Sequence, residues 1–312
     1  MQKRNNIYLL ISLLGMTVFL IMMLLFKNFD TTEAIDKNLF KVADQTKIDR
    51  VVLQRNNELV ELHFDGAKWM VNNSFEADRQ LIQVFFATIL QTEPKRPVAQ
   101  RLIDSVNQQI SSTGVQVKLF EGDMLMKDFS VAGNDRKTET YYKLAGDPSP
   151  YMATIPGYRV YVAAIFELPA YEWREKRIFN FKWENFKQLK VSFTENKKED
   201  FSISFQGKFF GLDGMPTADT TRLNDYLDAV SLVQAVRYLP KGTSAVYDSQ
   251  LSGAPSYTIQ ATDIANRTYV LDVYPSILGE SAILGKVNGD QPLLMRKEDA
   301  DKIGRARNYF VR

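Results

Sequence analysis

The 312-residue chain contains no cysteine. That absence excludes disulfides, zinc–thiolate sites, iron–sulfur clusters, a cysteine nucleophile and a lipid-bearing cysteine behind an N-terminal segment. There is one histidine, His63, so a serine triad has a single residue to form around, and no G-x-S-x-G elbow accompanies it. His63 sits between Leu62 and Phe64 in an alternating segment. It reads as a solvated strand position, because a general base needs a cleft and partners. An excess of one charge is also missing: 39 basic residues stand against 37 acidic ones, a formal net charge of +2. Nucleic-acid binders carry a basic face, so no nucleic-acid partner is expected.

Nucleotide and metal motifs are absent too. Gly279 to Gly285-Lys286 has the outline of a phosphate loop, but it is one residue too long and Val287 stands where Ser or Thr is required. A turn between strands is expected there. No dinucleotide-binding glycine pattern and no calcium loop occurs. Asp123, Asp128, Asp135, Asp213 and Asp263 lie in or near loop-like stretches, where aspartate stabilises turns. Two carboxylates converging in space, as in glycosidases, are the alternative. Asn72-Asn73-Ser74 and Asn266-Arg267-Thr268 fit the glycosylation pattern, which matters only in a secretory eukaryotic host. No cofactor, metal or catalytic residue is expected.

What the chain does carry begins with Ile7 to Phe26, a run without a charge whose polar members are Tyr8, Ser12 and Thr17. At about 1.5 Å per residue it reaches about 30 Å, the thickness of a hydrocarbon layer. It is longer than a signal-peptide core, and Leu24-Leu25-Phe26 offers no small-residue cleavage site. A single transmembrane helix over 7–26 is therefore expected, after a cytoplasmic tail over 1–6. Lys3 and Arg4 precede the run, and Asp30, Glu33 and Asp36 follow Lys27. Basic flanks stay inside, which places the bulk of the chain on the far side of the membrane, with residues 27–46 as a tether.

Beyond the tether the sequence repeats itself. Phe64, Gly66 and Trp69 recur as Phe205, Gly207 and Phe210, a shift of 141. The same shift carries Ala77-Asp78 onto Ala218-Asp219, and Ile82, Phe85, Phe86 and Ile89 onto Leu223, Tyr226, Leu227 and Val230. It also carries Ile48, Arg50 and Val52 onto Leu189, Val191 and Phe193. This is one supersecondary unit used twice. In each copy, alternating segments predict strands, Asp65-Gly66 or Gln206-Gly207 predicts a tight turn, and the i, i+3, i+4, i+7 stripe predicts a helix capped by Asp78 or Asp219. More strands close each unit, and a short helix follows Arg296. The fold class expected is α+β: a transmembrane helix, then repeats over 47–168 and 189–312, each an antiparallel sheet with an amphipathic helix on one face.

Between the copies lies a connector over 169–188, with the most unusual composition in the chain. Tyr171, Trp173, Phe179, Phe181, Trp183 and Phe186 are interleaved with Arg174, Lys176, Arg177, Lys182 and Lys187. Two readings stand. The aromatics form a buried linker whose basic residues reach water, or Tyr171, Trp173, Arg174, Lys176 and Arg177 form a docking surface, since exposed aromatics with arginine mark interfaces.

The N-terminal apolar run, the Asp65-Gly66-x-x-Trp69 turn with Ala77-Asp78 and its helix, Trp173-Arg174-Glu175-Lys176 and the weaker second copy together resemble a bacterial family of membrane-anchored domains of unknown function. The resemblance implies a bacterial cell-envelope protein, held in the inner membrane with its bulk periplasmic and often encoded beside ABC-transporter and gliding-motility auxiliary subunits, with no catalytic motif. The function expected is a non-enzymatic interaction subunit of such an assembly. A ligand- or glycan-binding module with its site between the two units, and a carboxylate-dependent envelope hydrolase, are the alternatives; a small-molecule ligand is not specified by the sequence.

Overall fold

The structure, a computed structural model, describes residues 12–23, 35–42, 44–179, 185–207, 209–240, 242, 244–289 and 291–311. The first helix, α1, covers residues 12–23 with its side chains exposed. No helix among the described residues is long and apolar enough to cross a membrane. This corrects the expected transmembrane helix, and with it the single-pass placement in a bacterial inner membrane with its cytoplasmic tail and periplasmic bulk. The rest of the run from Ile7 to Phe26 lies outside the described residues. From the stretch expected to be a tether, Phe40 and Val42 are buried in the first core, Phe40 with its ring 5.1 Å from Tyr142.

Alternation of apolar and polar residues builds the first sheet. Its strands are β1 (Arg50–Arg55), β2 (Glu58–Phe64), β3 (Trp69–Val71), β4 (Phe75–Glu76), β5 (Glu93–Pro97), β6 (Val115–Glu121), β7 (Met124–Gly133), β8 (Thr140–Leu144) and β9 (Tyr151–Thr154). They lie in the order β4-β3-β2-β1-β6-β7-β8-β9-β5, antiparallel throughout. The helix α2 (Arg79–Gln91) follows β4, and α3 (Ile103–Thr113) follows β5. The second sheet has β10 (Phe186–Phe193), β11 (Phe201–Phe205), β12 (Phe210–Leu212), β13 (Ala235–Tyr238), β14 (Tyr257–Asp263), β15 (Thr268–Val273), β16 (Ala282–Val287) and β17 (Gln291–Arg296). Their order is β12-β11-β10-β14-β15-β16-β17-β13. With β4 set aside, the two orders are the same topology. The helices α4 (Thr220–Leu232) and α5 (Ala245–Leu251) take the places of α2 and α3, and α6 (Lys297–Ile303) closes the second sheet.

Each sheet carries helices on both faces, which corrects the expectation of one. Ile82, Phe85 and Ile89 of α2 enter the main first core with Tyr142, while α3 packs with Tyr141 on the opposite face. Adjacent strand residues point to opposite faces, so Tyr141 and Tyr142 divide between the two layers. In the second unit Ile283 and Leu284 divide in the same way, Leu284 lying beneath α5. The Asp78 carboxylate accepts the N–H groups of Gln80 and Leu81 at 2.8 and 3.1 Å, and Asp219 accepts those of Thr221 and Arg222 at 2.9 and 3.2 Å. These are the orphan donors of a helix start.

The shift of 141 holds through β3 and α2, which become β12 and α4 residue for residue. It fails at β1. Val51 and Leu53 pair with Leu62 and Val60, as Leu189 and Val191 pair with Ile203 and Phe201, so β1 maps onto β10 with a shift of 138. The three additional residues of the second hairpin form a turn around Lys197–Glu199. The expected match of Ile48, Arg50 and Val52 with Leu189, Val191 and Phe193 is thereby corrected. Buried positions must keep their phase, so length changes fall in loops.

A buried aromatic residue clasps each unit after its last strand. Trp173 is fully buried and lies 5.6 Å from Phe85, while its carbonyl accepts the Asp78 N–H at 2.8 Å. Phe310 lies 5.3 Å from Tyr226, the counterpart of Phe85, and its carbonyl accepts the Asp219 N–H at 2.8 Å. At the opposite edge the copies differ. Pro94 and Pro97 of β5 occupy the places of Ala235 and Tyr238 of β13. Trp173→Ala and Phe310→Ala should each destabilise the chain by about 3–5 kcal/mol, read by urea denaturation; a loss below about 1 kcal/mol would show that the clasp is dispensable.

Candidate functional site

The connector expected as linker or docking surface is a strand-like bridge between the sheets, and its side chains divide by position. Trp173 belongs to the first core, with its indole N–H donated to the Leu168 carbonyl at 3.2 Å. Tyr171 is half-buried against the second core. Lys176 is paired with Glu172 at 3.4 Å. Arg177 is exposed and holds Glu175, which raises the guanidinium's pKa by hydrogen bonding and by charge. Phe181, Lys182 and Trp183 lie outside the described residues.

The backbone of residues 174–178 faces two ways. On the first unit, the Glu175 N–H is donated to the Glu76 carbonyl at 2.8 Å, and Arg174 forms a bridge with Ala77. On the second, the Lys176 carbonyl accepts the Ala235 N–H at 2.7 Å, and the Ile178 N–H is donated to the Val233 carbonyl at 3.2 Å. Arg177 bridges Gln234, and the Tyr238 hydroxyl is donated to the Glu175 carbonyl at 3.0 Å. Arg174 pins this seam. Its guanidinium carbon lies 3.7 Å from the centroid of Phe75 in the first unit and 3.7 Å from that of Tyr238 in the second, and it donates to Gln291. Burial pushes the Tyr238 phenol up in pKa, and the Arg174 charge opposes that shift. A cavity of about 290 Å³ lies at this junction, with Arg174 among its lining residues.

Beside the seam, on the first unit, a groove of about 700 Å³ opens between the β2–β3 turn, the first turns of α2 and the connector. Its floor is aromatic: Trp69 lies 5.8 Å from Phe64 and 5.4 Å from Phe86. The turn that presents Trp69 is fixed by Gly66 at φ +96° and by the Asp65 carboxylate, which accepts the N–H groups of Lys68 and Ala67 at 2.9 Å each. Those backbone donors, Lys68 first, hold Asp65 below the usual carboxylate range. On the rim, Lys68 is paired with Glu76 at 2.8 Å and Arg177 with Glu175, while Arg79 makes no ion pair among the described residues.

The sequence read Trp69 and its turn as structural and offered Arg177 in one of two readings of the connector, as part of a docking surface; it did not point to Phe64, Phe86 and Arg79 as their companions. The 21 residues between Phe64 and Phe86 hide their meeting on Trp69, although their helical and strand phases were readable. The remaining candidates are structurally occupied. His63 pairs with Arg50 and Met70 across its strand. Asp263 accepts from the Arg267 backbone and guanidinium at 2.9 and 2.7 Å, Asp213 from Ser204 at 2.7 Å and Asp128 from Gln116 at 3.1 Å, while Asp123 and Asp135 lie in turns. Gly285 and Lys286 are inside β16, so the segment is no phosphate loop. No group of three or more metal-ligating side chains occurs among the described residues.

A family model described as a domain of unknown function, DUF4340, matches residues 69–252, more than half of the chain. No curated protein and no solved structure matches the chain. The matched stretch starts at Trp69 in the groove and runs across the seam.

Arg174→Ala should loosen the two units, at a cost of about 1–4 kcal/mol for two stacked faces. Arg174→Lys should rescue little of it, because an ammonium lacks the flat face that lies between the rings. Two separated unfolding transitions in calorimetry would register the loosening; full rescue by lysine would reduce the pin to simple charge.

Proposed function

We propose that this chain, which belongs to the DUF4340 family, is a non-enzymatic binding protein whose first-unit groove receives a segment of a protein partner. The observation that carries this reading is the aromatic floor formed by Phe64, Trp69 and Phe86, open beside a pinned seam. Large aromatic residues in a rigid concave setting are the usual anchors of protein recognition. The charge of the rim sets the complement: with Lys68 and Arg177 already paired, Arg79 is left for a carboxylate of the partner. The segment it fits is apolar or aromatic with an acidic residue nearby. The assignment of that partner to an ABC-type or motility-type assembly rests on the family resemblance alone. The alternative of a ligand held between the units draws less support, because Arg174 stacks between rings from both units at the junction.

A photo-crosslinking residue in place of exposed Gln83 on the groove wall, introduced in the native cells, should yield a discrete adduct identifiable by mass spectrometry. The same residue in place of exposed Glu195 on the second unit should not. Trp69→Ala should weaken the captured partner about 30-fold, the equivalent of about 2 kcal/mol for an anchoring aromatic. Identical adducts from both positions, or affinity unmoved by Trp69→Ala, would remove the groove from the function.

A further inference from the structure

A second opening, on the first unit, lies where β5, β8 and β9 meet two loops. It measures about 470 Å³ and is lined by Lys95 of β5, Lys137 of the turn before β8 and Arg159 of the loop after β9. None of these three cations makes an ion pair among the described residues, whereas nearby Lys37 and Lys41 share Glu93 at 3.5 Å each. The acid on the wall, Glu139, accepts the Tyr141 hydroxyl at 2.7 Å. Like charges gathered on one concavity repel, and the potential they raise there attracts anions.

The positions are built. Lys137 has φ +54°, a left-handed conformation uncommon for a lysine. Its turn is held by the Asn134 side chain, which accepts the N–H groups of Thr138 and Glu139 at 2.8 and 3.1 Å, and by the Lys137 N–H donated to the Asn134 carbonyl at 2.9 Å. Thr138 and Thr154 add hydroxyls to the wall, and Tyr158 stands 64% exposed at the mouth. The scaffold does not require this charge. In the second unit the strand position of Lys95 is taken by Val236, on the same edge beside β17.

We propose that this opening is a binding site for a small multivalent anion, phosphate-bearing or polycarboxylate, held by Lys95, Lys137 and Arg159. The site is separate from the aromatic groove and does not depend on its reading. Guanidinium and ammonium groups give charge-assisted hydrogen bonds to either anion, and a volume of this size suits a sugar-phosphate-sized molecule.

Inorganic pyrophosphate and citrate, titrated separately into the full chain by calorimetry, test the site and separate the two sources. One-site binding of either is expected, weakening as salt rises. The Lys95→Gln/Arg159→Gln variant should lose tenfold or more in affinity while its thermal unfolding in the absence of anion stays unchanged. The Lys197→Gln/Lys198→Gln variant removes the same charge from an exposed turn of the second unit and should bind as the parent does. Absence of binding by both anions, or equal loss in the two variants, would overturn the proposal. Binding unaffected by Trp69→Ala is expected as well, and keeps the outcome distinct from that of the groove.

Discussion

Among the described residues the backbone of 174–178 bonds to both sheets, and Arg174 is what makes this seam a junction. A guanidinium has a flat, weakly hydrated face on each side, so it can lie between two rings while its edge still donates hydrogen bonds. Here one ring comes from the first unit, one from the second, and the hydrogen-bond acceptor Gln291 from the second. The neighbouring backbone alternates its bonds between Glu76 on one side and Ala235 on the other. The groove depends on this arrangement, since Glu175 and Arg177 form one of its walls and are placed by the same five residues.

The duplicated scaffold shows which parts of a fold resist change. Helix starts, the aspartate caps, the aromatic residue whose carbonyl accepts the cap N–H and the phase of buried strand residues are held in both copies. Loop length and edge chemistry are not. The hairpin before β11 has gained a turn, and β4 has no counterpart in the second sheet among the described residues. Substitution within the clasp, Trp173 for Phe310, keeps a large ring over the helix while changing its size. A close-packed interior tolerates such exchanges when the neighbours change with them, as Phe85 has changed to Tyr226.

The repeat was legible because it rests on local chemistry. A glycine turn, an aspartate cap and a 3.6-residue stripe can be read without neighbours. Other elements were hidden by composition. The strand β5 reads Glu-Pro-Lys-Arg-Pro, which looks like a helix terminator, and α3 carries glutamines and serines that dilute its Ile103, Val106 and Ile110 stripe. The apolar run near the N-terminus gave the opposite error: its composition suggested a membrane span, and no helix among the described residues is long and apolar enough to be one. At the seam, composition singled out the stretch that carries Arg174. Its role was unreadable because Phe75, Tyr238 and Gln291 lie far apart in sequence and only the folded sheets bring them to one guanidinium.

The seam joins unlike edges, the clasped side of one unit to the β13 side of the next. A head-to-tail contact of this kind is heterologous, and repetition of it builds a ring or an open filament. Pro94 stands where Ala235 supplies the N–H that the connector binds, and Pro97 where Tyr238 supplies a ring and a hydroxyl. Proline has no N–H to give, so the first unit cannot receive a connector as the second does. Two imino acids thus act as a chain terminator in the polymer chemist's sense, blocking the first unit's edge to head-to-tail addition at the level of the backbone.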